Sequence, residues 1–517
     1  MVRSTTGAVR GTAPARQTGP VSRALGVDIG TTNTKVAVVR ADGRGPVVEA
    51  VASAPTPAPA DLDACLRDLT GRALGAAPVG ETVEAVGLAS MAETGVPLDG
   101  AGAPLRDWLR WDGHRAGEEA AALADRLGRT ALFEATGVRP SAKVPLATLA
   151  WLRRHDPAAA AGRWAGAADL ACLGLTGELV TDHTLAGRTM AYRLPPAGEP
   201  LPETFDADLL AEVGSTPDRL PRVAGPGALA GAVRSGAWAA AGVPVGTPVA
   251  VAGHDHAVGA WAAGVRAPGD VADSIGTAEA LCTVLGAEPV RAPVAAAGMS
   301  LVRTVEGLPA LLAGSSGAGA AVRWWLEEEA PGLDPAELFA AVAALPPAAW
   351  PRDVVVLPYV QGRQTPEPDP AARARVVGRG AHDVVVLTAA LLEGLALQAR
   401  WMLDVQQALA GGVGGGVGGA VRARRVVVLG GPAAGNAAWM ASKARVTPVP
   451  VRLVDAAEPV AAGAALLALA RAGSGSGSGE PASAPVLPGV PVAGAAAGAG
   501  WPDPEQALAR FVRAARG

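Results

Sequence analysis

The residues best suited to chemistry lie around position 255. The sequence GHDH occupies 253–256, after a run of Val and Ala (249–252) that predicts a short buried strand. Small residues follow (257–264) and predict a closely packed helix. A carboxylate at a strand end, between two of the chain's six histidines, is a candidate general base. Asp255 could instead cap the following helix. On this stretch alone, the two interpretations are equally good.

A second stretch with chemical potential runs over residues 25–40. Two β-rich segments flank a Gly-Thr-Thr-Asn turn, and this pattern predicts a hairpin. Glycine lets the backbone approach a ligand, and successive N–H groups with hydroxyls can hold phosphate oxygens. Asp28, at the end of the first segment, could hold Mg²⁺ through water. We therefore favour a phosphate-binding hairpin over a plain one. The residues whose density favours phosphate binding are Asp28, Gly30, Thr31, Thr32 and Lys35.

The same local pattern returns later in the chain. SIGT at 274–277 repeats DIGT at 28–31, which suggests two similar half-domains facing one nucleotide. A third glycine turn, GGPAAGN at 430–436, follows a β-rich run (424–429) and precedes a helical pattern. Glycines at such a strand–helix junction allow a flat ring to lie against the backbone.

Length and composition narrow the class of protein. A chain of 517 residues exceeds one hydrophobic core, so two domains are expected. A net charge of −4 argues against nucleic-acid binding. The 50% hydrophobic content is mostly Ala and Val, without an apolar run of about 18 residues, so no membrane segment is expected. Three scattered cysteines and an N-terminus without an apolar signal indicate a cytoplasmic protein.

We expect the chain to divide into four parts. Residues 1–22 are expected to be a disordered leader. Two domains are expected between the tails, an N-terminal one over 23–262 and a C-terminal one over 263–471. Residues 472–517 would form a flexible Gly-Ser linker and a C-terminal helix. A glycine tract at 411–419 is expected to be a surface loop.

Taken together, these motifs resemble those of the FGGY carbohydrate kinases, members of the actin/hexokinase-like ATPase superfamily. The resemblance extends over about residues 24–470. Each motif alone is weak, but their order and spacing are specific. The matching motifs are DIGTT (28–32), WDGHR (111–115), LTGE (175–178), GHD (253–255), SIGT (274–277), LPYVQG (357–362), LEG (392–394), GG (430–431) and EPVAAGAA (458–465).

The resemblance implies an α/β fold with two ribonuclease-H-like domains and an interdomain cleft that binds ATP, Mg²⁺ and a small sugar. Asp255 would match the catalytic base and Asp28 the metal-side aspartate. The N-terminal domain would hold the sugar and the first phosphate loop, with Thr31, Thr32 and Lys35, and the C-terminal domain would hold the nucleotide. The remaining nucleotide contacts would be Gly276 and Thr277 in the second loop, Gly430, Gly431 and Asn436 beside the adenosine, and Gly317 in a further loop.

The sugar side of the cleft is harder to assign. Glu93 with Thr94 resembles the glycerol-kinase version of the family, whereas Met91 has a counterpart in xylulokinase-like members. The substrate-binding residues implied are Met91, Glu93, Trp111, Asp112, His254 and His256. Met91 and Trp111 could equally be core residues, His256 could act behind the sugar contacts, and Glu93 could pair with an arginine such as Arg115.

Two stretches depart from the family pattern. Residues 362–366 match the family's Gly-Glu-Arg-x-Pro only loosely. Ala441 and Arg445 stand near Lys443 where Gln and Asp are expected. These departures bear on affinity for substrate and nucleotide more than on the chemistry.

The main hypothesis is ATP-dependent phosphorylation of a small sugar or polyol, such as the ketose xylulose, with an open-chain acceptor. The alternatives are a catalytically silent sugar sensor and an ATPase whose output is conformational. The expected partner is a small molecule, with neither nucleic acid nor membrane, and a homodimer is one option for the oligomeric state.

Overall fold

The computed structural model describes residues 21–411, 422–431, 435–474, 484–493 and 500–517. Most of the expected leader (1–20), nearly all of the glycine tract (412–419) and much of the Gly-Ser linker (475–483) lie outside the described residues.

Nineteen strands occur in the described part of the chain. In chain order they are β1 Ser22–Ile29, β2 Asn33–Asp42, β3 Gly45–Pro55, β4 Val83–Ser90, β5 Gly95–Leu98, β6 Arg163–Gly166, β7 Val180–Asp182, β8 Arg222–Ala224, β9 Gly231–Ala232, β10 Pro248–His254, β11 Asp270–Ile275, β12 Glu279–Val284, β13 Ser300–Arg303, β14 Pro309–Ser315, β15 Val355–Leu357, β16 Arg375–Val377, β17 Arg425–Leu429, β18 Val451–Val454 and β19 Gly489–Pro491.

The helices lie between and after these strands. In chain order they are α1 Leu62–Ala76, α2 Gly117–Leu127, α3 Arg129–Thr136, α4 Pro145–His155, α5 Pro157–Ala160, α6 Ala167–Thr176, α7 His183–Ala186, α8 Ala207–Ala211, α9 Gly236–Ala240, α10 Asp255–Ala262, α11 Arg291–Ala296, α12 Gly319–Glu328, α13 Pro335–Ala343, α14 Val384–Ala410, α15 Ala437–Val446, α16 Pro459–Ser474 and α17 Pro504–Arg516. Short 3₁₀ turns lie at Pro59–Asp61, Trp111–Gly113, Pro217–Arg219 and Pro347–Ala349.

The first sheet has the order β3-β2-β1-β4-β10-β9. The hairpin predicted over 25–40 is confirmed: β1 and β2 are antiparallel, and their register sets Asp28 opposite Lys35. β1, β4 and β10 run parallel, so their carboxyl ends meet at one edge of the sheet. That edge brings Ile29, Ser90 and His254 into neighbouring positions, and ligands commonly bind at such an edge.

The second sheet repeats this plan with the order β13-β14-β12-β11-β17-β18-β19. The β11–β12 hairpin is antiparallel, and β11, β17 and β18 run parallel. The SIGT turn after β11 and the glycine turn after β17 therefore lie at the same sheet edge. The shared arrangement, a hairpin followed by parallel strands, confirms the prediction of two related half-domains of mixed α/β structure.

An alanine-rich layer connects the two sheets and accounts for the unusual composition. Helices α10 and α16 pack on each other, and α16 lies directly on β1 and β4. The contact is so close that a Cβ on Gly26 would be 1.7 Å from the Ala461 carbonyl oxygen. A Cβ on Gly87 would be 1.9 Å from the Ala464 carbonyl oxygen. Small side chains are required here because the helix backbone itself touches the strands.

Helix α14 is the longest apolar element. Its length and composition would suffice to cross a membrane, but 83% of its most apolar 18-residue window is buried inside the protein. Its charged residues have partners: Arg400 donates to the Val446 carbonyl oxygen and to Asp404, and Glu393 pairs with Arg445. These contacts are those of a core helix.

The C-terminal helix α17 packs on α14 and β15, with Phe511 fully buried. Just before it, Trp501 and Trp350 lie on the guanidinium of Arg445, at 5.4 and 5.3 Å from the ring centroids. Arg445 departs from the family pattern, and its contacts are with Glu393 and this aromatic pair. It therefore attaches the C-terminal segment to the second half of the molecule.

Candidate active site

Asp255 is the first residue of α10, directly after β10. His254, and not Asp255, occupies the N-cap position, and no side-chain capping hydrogen bond is made there. The Asp255 Oδ1 atom accepts a hydrogen bond from the backbone N–H of His256 at 2.6 Å. The Nε2 atom of His254 lies 3.2 Å from the same oxygen. With its side chain a quarter exposed, the carboxylate remains open to a ligand.

The turn that presents Asp255 is fixed from behind. Gly253 has φ 130°, and a Cβ there would be 2.4 Å from the Thr184 hydroxyl. That hydroxyl accepts from the His254 backbone N–H at 2.9 Å and donates to Asp182 Oδ1 at 2.7 Å. Asp182 is buried and paired with Arg471 of α16 at 3.3 Å. Thr184 and Asp182 thus position the strand end, although no sequence motif marks either residue.

Asp28 lies at the end of β1 with its carboxylate buried. Burial and the nearby charge of Asp255 raise its pKa to about 7, opposed by Lys35. Within the described residues, Asp28 Oδ1 has no hydrogen-bond partner. A divalent cation beside this oxygen would supply the missing partner and favour the charged carboxylate. The site therefore fits the Mg²⁺ that the sequence predicts for Asp28.

Lys35 lies on β2, beyond the turn, and its ammonium is 2.5 Å from the Glu458 carboxylate. Glu458 precedes α16 and has a left-handed backbone, φ 46°. Asp28 is affected electrostatically by Asp255, Lys35 and Glu458 together. The edge of the first sheet is therefore a compact group of three carboxylates and one ammonium.

The turn of the first hairpin contacts Met91 and Trp111. The Gly30 N–H donates to the Asn33 carbonyl oxygen at 3.0 Å, which closes the turn. The Thr31 hydroxyl accepts from the Trp111 indole N–H at 2.9 Å and contacts the Met91 sulfur at 3.4 Å. Thr32 is exposed at the tip. The structure thus brings Met91 and Trp111 against Thr31, with Met91 buried and Trp111 half-buried.

Asp112 lies on the exposed side of Trp111. Its carboxylate pairs with Arg110 at 2.9 Å, and this hydrogen bond holds the pKa of Asp112 below its usual range. The other end of the Arg110 guanidinium donates to the Thr31 carbonyl oxygen at 3.2 Å. Asp112 is therefore connected to the same turn through Arg110.

Glu93 lies between β4 and β5 with a left-handed backbone, φ 65°. Arg188 donates to its Oε1 atom at 2.7 Å, and Lys143 Nζ lies 3.7 Å from the same oxygen. Burial would raise the pKa of Glu93, but Lys143 and Arg188 outweigh it and hold that pKa below its usual range. Arg115, the partner considered from sequence, instead lies over the Trp151 ring at 5.7 Å.

The two histidines stand beside this group. The rings of His254 and His256 meet edge to face with centroids 5.1 Å apart. Burial, then the neighbouring His256 and Arg188, lower the pKa of His254 well below its ordinary value. His254 is therefore neutral at physiological pH. The His256 side chain is about a third exposed and affects the electrostatics of Glu93.

A cavity of about 690 Å³ lies in the other half of the molecule. The turn of the second hairpin borders it: Gly319 N–H donates to the Gly276 carbonyl oxygen, and Ala320 N–H to that of Thr277, both at 3.0 Å. The start of α12 is thereby attached to this turn. The lining includes Gly276, Thr277, Gly319, Phe339, Asn436 and Trp439. A volume of this size suits a nucleotide.

The glycine turn after β17 lies close to the same hairpin. Gly431 has φ 114°, and a Cβ there would be 2.5 Å from the Ile275 carbonyl oxygen. A Cβ on its neighbour Gly430 would meet no atom within 4 Å in the described structure. The side chain of Asn436 caps α15 by accepting from the Trp439 N–H at 3.0 Å. Gly317 packs against Pro358. A Cβ on Gly317 would be 1.9 Å from the Pro358 carbonyl oxygen.

Lys443 supports the second hairpin from below. Its buried ammonium pairs with Asp273 on β11 and with Glu279 on β12, the latter at 2.5 Å. The pKa of Glu279 is raised to about 8, chiefly by burial and against the effect of Lys443. Lys443 thus joins α15 to both strands, and its position indicates support of the hairpin.

The paired sheets and the sites at their edges define a two-domain fold of the actin/hexokinase-like class. Family models match both halves: the N-terminal domain of the FGGY family of carbohydrate kinases over residues 23–262 and the C-terminal domain over 271–472. The chain belongs to the FGGY family of carbohydrate kinases.

Individual relatives agree with this assignment. A xylulose kinase of Streptomyces coelicolor is 38% identical over 187 residues, which are 35% of this chain and 37% of that protein. A xylulose kinase of Streptomyces rubiginosus is 34% identical over 199 residues, 38% of this chain and 39% of that protein. The chain thus matches less than two fifths of either relative. The solved xylulose kinase of Rhodospirillum rubrum is 28% identical, with a TM-score of 0.79 over 96% of this chain and 97% of that one.

Proposed function

We propose that the chain is an ATP-dependent carbohydrate kinase that phosphorylates a small sugar or polyol, with Asp255 as general base. One observation carries the proposal. An accessible Asp255 carboxylate stands at the carboxyl edge of the first sheet, close enough to buried Asp28 to raise its pKa. A general base and a metal-side carboxylate in one place are what transfer of a phosphoryl group to a hydroxyl requires.

The proposed step is a direct displacement. The acceptor hydroxyl oxygen forms a bond to the γ-phosphorus of ATP while the bond from that phosphorus to the bridging oxygen of ADP breaks. ADP leaves with that electron pair, and Asp255 takes the hydroxyl proton. Phosphoryl transfer rests mainly on positioning and charge stabilisation, so little further covalent chemistry is needed. Bound Mg²⁺ would supply charge neutralisation of the phosphates, and Asp28 would hold it.

The nucleotide would occupy the 690 Å³ cavity. The turn residues Gly276 and Thr277 border this cavity beside the start of α12, and the glycine would let phosphate oxygens approach the backbone closely. The first hairpin turn, with Gly30, Thr31 and Thr32, would meet the phosphates from the other half.

The acceptor would be an open-chain ketose or a polyol bound near Glu93. The ionised Glu93 carboxylate can accept hydrogen bonds from neighbouring hydroxyls, and His254, His256 and Asp112 add polar contacts. The relatives that carry the name xylulose kinase make xylulose the first acceptor to test. A cytoplasmic location and a homodimer are further parts of the proposal.

A coupled assay for ADP release tests this proposal against both alternatives. The panel would contain xylulose, ribulose, fuculose, gluconate, glycerol and erythritol. A kinase releases ADP only when an acceptor is present, and the product carries the phosphate. Equal ADP and inorganic phosphate release without any acceptor would point to a conformational ATPase. Acceptor binding without ADP release across the panel would point to a sugar sensor.

A further inference from the structure

We propose that the acceptor is a sugar acid, an open-chain aldonate, whose carboxylate binds Arg188 with Lys143 nearby. The proposal rests on the proposed kinase function and deepens it by exchanging the neutral ketose or polyol for a charged acceptor of the same open-chain type. The carboxylate serves as a binding group and takes no part in the phosphoryl transfer.

Arg188 is the central observation. The residue is only 5% exposed, and one arm of its guanidinium donates to Glu93. Its Nε and Nη1 atoms are buried and have no hydrogen-bond partner in the part of the chain that the structure describes. Buried donors without acceptors are costly, and a guanidinium is the group best suited to carboxylate oxygens. The unsatisfied donors therefore point to an anionic ligand.

The local charge balance agrees. Arg188, Lys143 and half-buried Arg139 influence one another electrostatically, and Glu93 is the carboxylate among them. Within this group, three positively charged side chains face one carboxylate, so two positive charges have no opposite charge beside them. The pKa of Lys143 lies below its usual range, because burial, Arg188 and Arg139 together outweigh the attraction of Glu93. An anionic acceptor would relieve this repulsion, whereas a neutral polyol would not.

A small cavity adjoins Arg188. Its volume is about 20 Å³, enough for one water-sized group, and Arg188, His254 and His256 line it from the first half. Arg303 and Thr304 line it from the second half. Arg303 is also buried, and its Nη1 atom has no hydrogen-bond partner among the described residues. The cavity thus adjoins both neighbours of Asp255, and its lining includes two buried arginines that each have a donor without a partner among the described residues.

The test compares acids with polyols of the same carbon skeleton. The pairs are D-gluconate with D-glucitol, D-xylonate with xylitol, and D-ribonate with ribitol, each assayed by ADP release. Hydrogen bonds to charged groups predict a kcat/KM for the better acids at least about tenfold above their polyols. D-Ribulose 5-phosphate forms a separate arm, because arginines also bind phosphate. A preference for the phosphorylated sugar, or for the neutral polyols, would overturn the proposal.

Two variants and one control examine the residues. Arg188→Gln should lower kcat/KM for the acid by roughly 10–100-fold, mainly because KM rises. The kcat/KM for the polyol should change far less. Lys143→Gln, at a partly exposed position that should tolerate substitution, should have the same selective effect at smaller size. Arg234→Gln, in an exposed pair with Glu178, is the matched control and should change neither. If Arg188→Gln instead raises the KM for ATP equally with every acceptor, the arginine serves the nucleotide and the proposal fails.

Calorimetric titration with D-gluconate separates this proposal from the kinase function. Gluconate binding that is lost in Arg188→Gln supports the anion site even if no acceptor is phosphorylated. Turnover of neutral acceptors without binding or turnover of any of the three acids overturns the anion site and leaves the kinase function standing.

Discussion

The ammonium of Lys35 lies 2.5 Å from the carboxylate of Glu458, although 423 residues separate them in the chain. The pair joins the first hairpin to the start of α16, so the charge group around Asp28 is complete only when the last part of the C-terminal family domain packs on the first sheet. In this group Lys35 opposes the repulsion that Asp28 meets from Asp255 and Glu458.

The first prediction concerns Asp28 and pH. Its pKa rises from 3.8 to about 7 on folding, so between these values the folded protein keeps a proton that the unfolded chain releases. The contribution to stability is therefore complete below about pH 4 and is lost as the pH rises toward 7. For the metal-free protein, the unfolding free energy of the parent minus that of Asp28→Asn should fall by roughly 2–4 kcal/mol from pH 4.5 to pH 8.

Urea unfolding at each pH in the presence of a chelator measures this difference. Adding Mg²⁺ at pH 8 should raise the melting temperature of the parent and not that of Asp28→Asn. A difference that stays constant with pH would show that Asp28 is ionised in the folded protein at all these values.

The second prediction uses two adjacent glycines as a matched pair. Gly431→Ala places a Cβ 2.5 Å from the Ile275 carbonyl oxygen in a backbone region that disfavours side chains, so it should cost about 1–3 kcal/mol of stability. Gly430→Ala meets no atom within 4 Å of the new Cβ in the described structure and should be close to neutral. Denaturant unfolding of the nucleotide-free variants gives both numbers. Equal effects would mean that Gly431 does not lie against the second hairpin as described.

The third prediction concerns Glu93. Replacing it with Gln removes a carboxylate that Arg188 and Lys143 keep ionised, so the KM for the acceptor should rise and discrimination among acceptors should weaken. The loss in kcat should be smaller than that of an Asp255 variant. Glu178→Gln, from an exposed ion pair, is the control. Identical KM values and substrate ranking in the Glu93 variant and the parent would show that Glu93 does not contact the acceptor.

The fourth prediction is that the two domains close when both ligands bind. Water in an open cleft would compete for the γ-phosphate, and closure would exclude it. Small-angle scattering should give a smaller radius of gyration with acceptor plus a non-hydrolysable nucleotide than with either alone. An unchanged radius with both ligands would count against closure.

The two hairpins, the strand before Asp255 and the helix after it could be predicted from sequence, because each is marked by a pattern within a short stretch of residues. The turn after Asp28 and its repeat before Thr277 each combine β-rich segments with a glycine turn, and both form hairpins at equivalent places in the two sheets. The strand before Asp255 and the small-residue helix after it follow from the same kind of pattern.

The supporting contacts could not be predicted, because they join residues far apart in the chain. Arg188 meets Glu93 across 95 residues, and Arg471 meets Asp182 across 289. Nothing near Arg188 in the sequence distinguishes it from the many arginines on the surface. Only the packed structure shows that Arg188 is buried beside the Glu93 carboxylate. It also shows that two of its donor nitrogens have no partner among the described residues.

The most direct test of the central claim is the acceptor-dependent turnover of Asp255→Asn. The amide keeps the shape of the side chain but cannot accept the hydroxyl proton, so kcat should fall by roughly 10²–10⁴-fold while the KM for the acceptor changes little. The assay is ADP release with the best acceptor of the panel, with calorimetry to confirm that the acceptor still binds. A variant that binds the acceptor and turns over at nearly the parental rate would contradict the assignment of Asp255 as the general base.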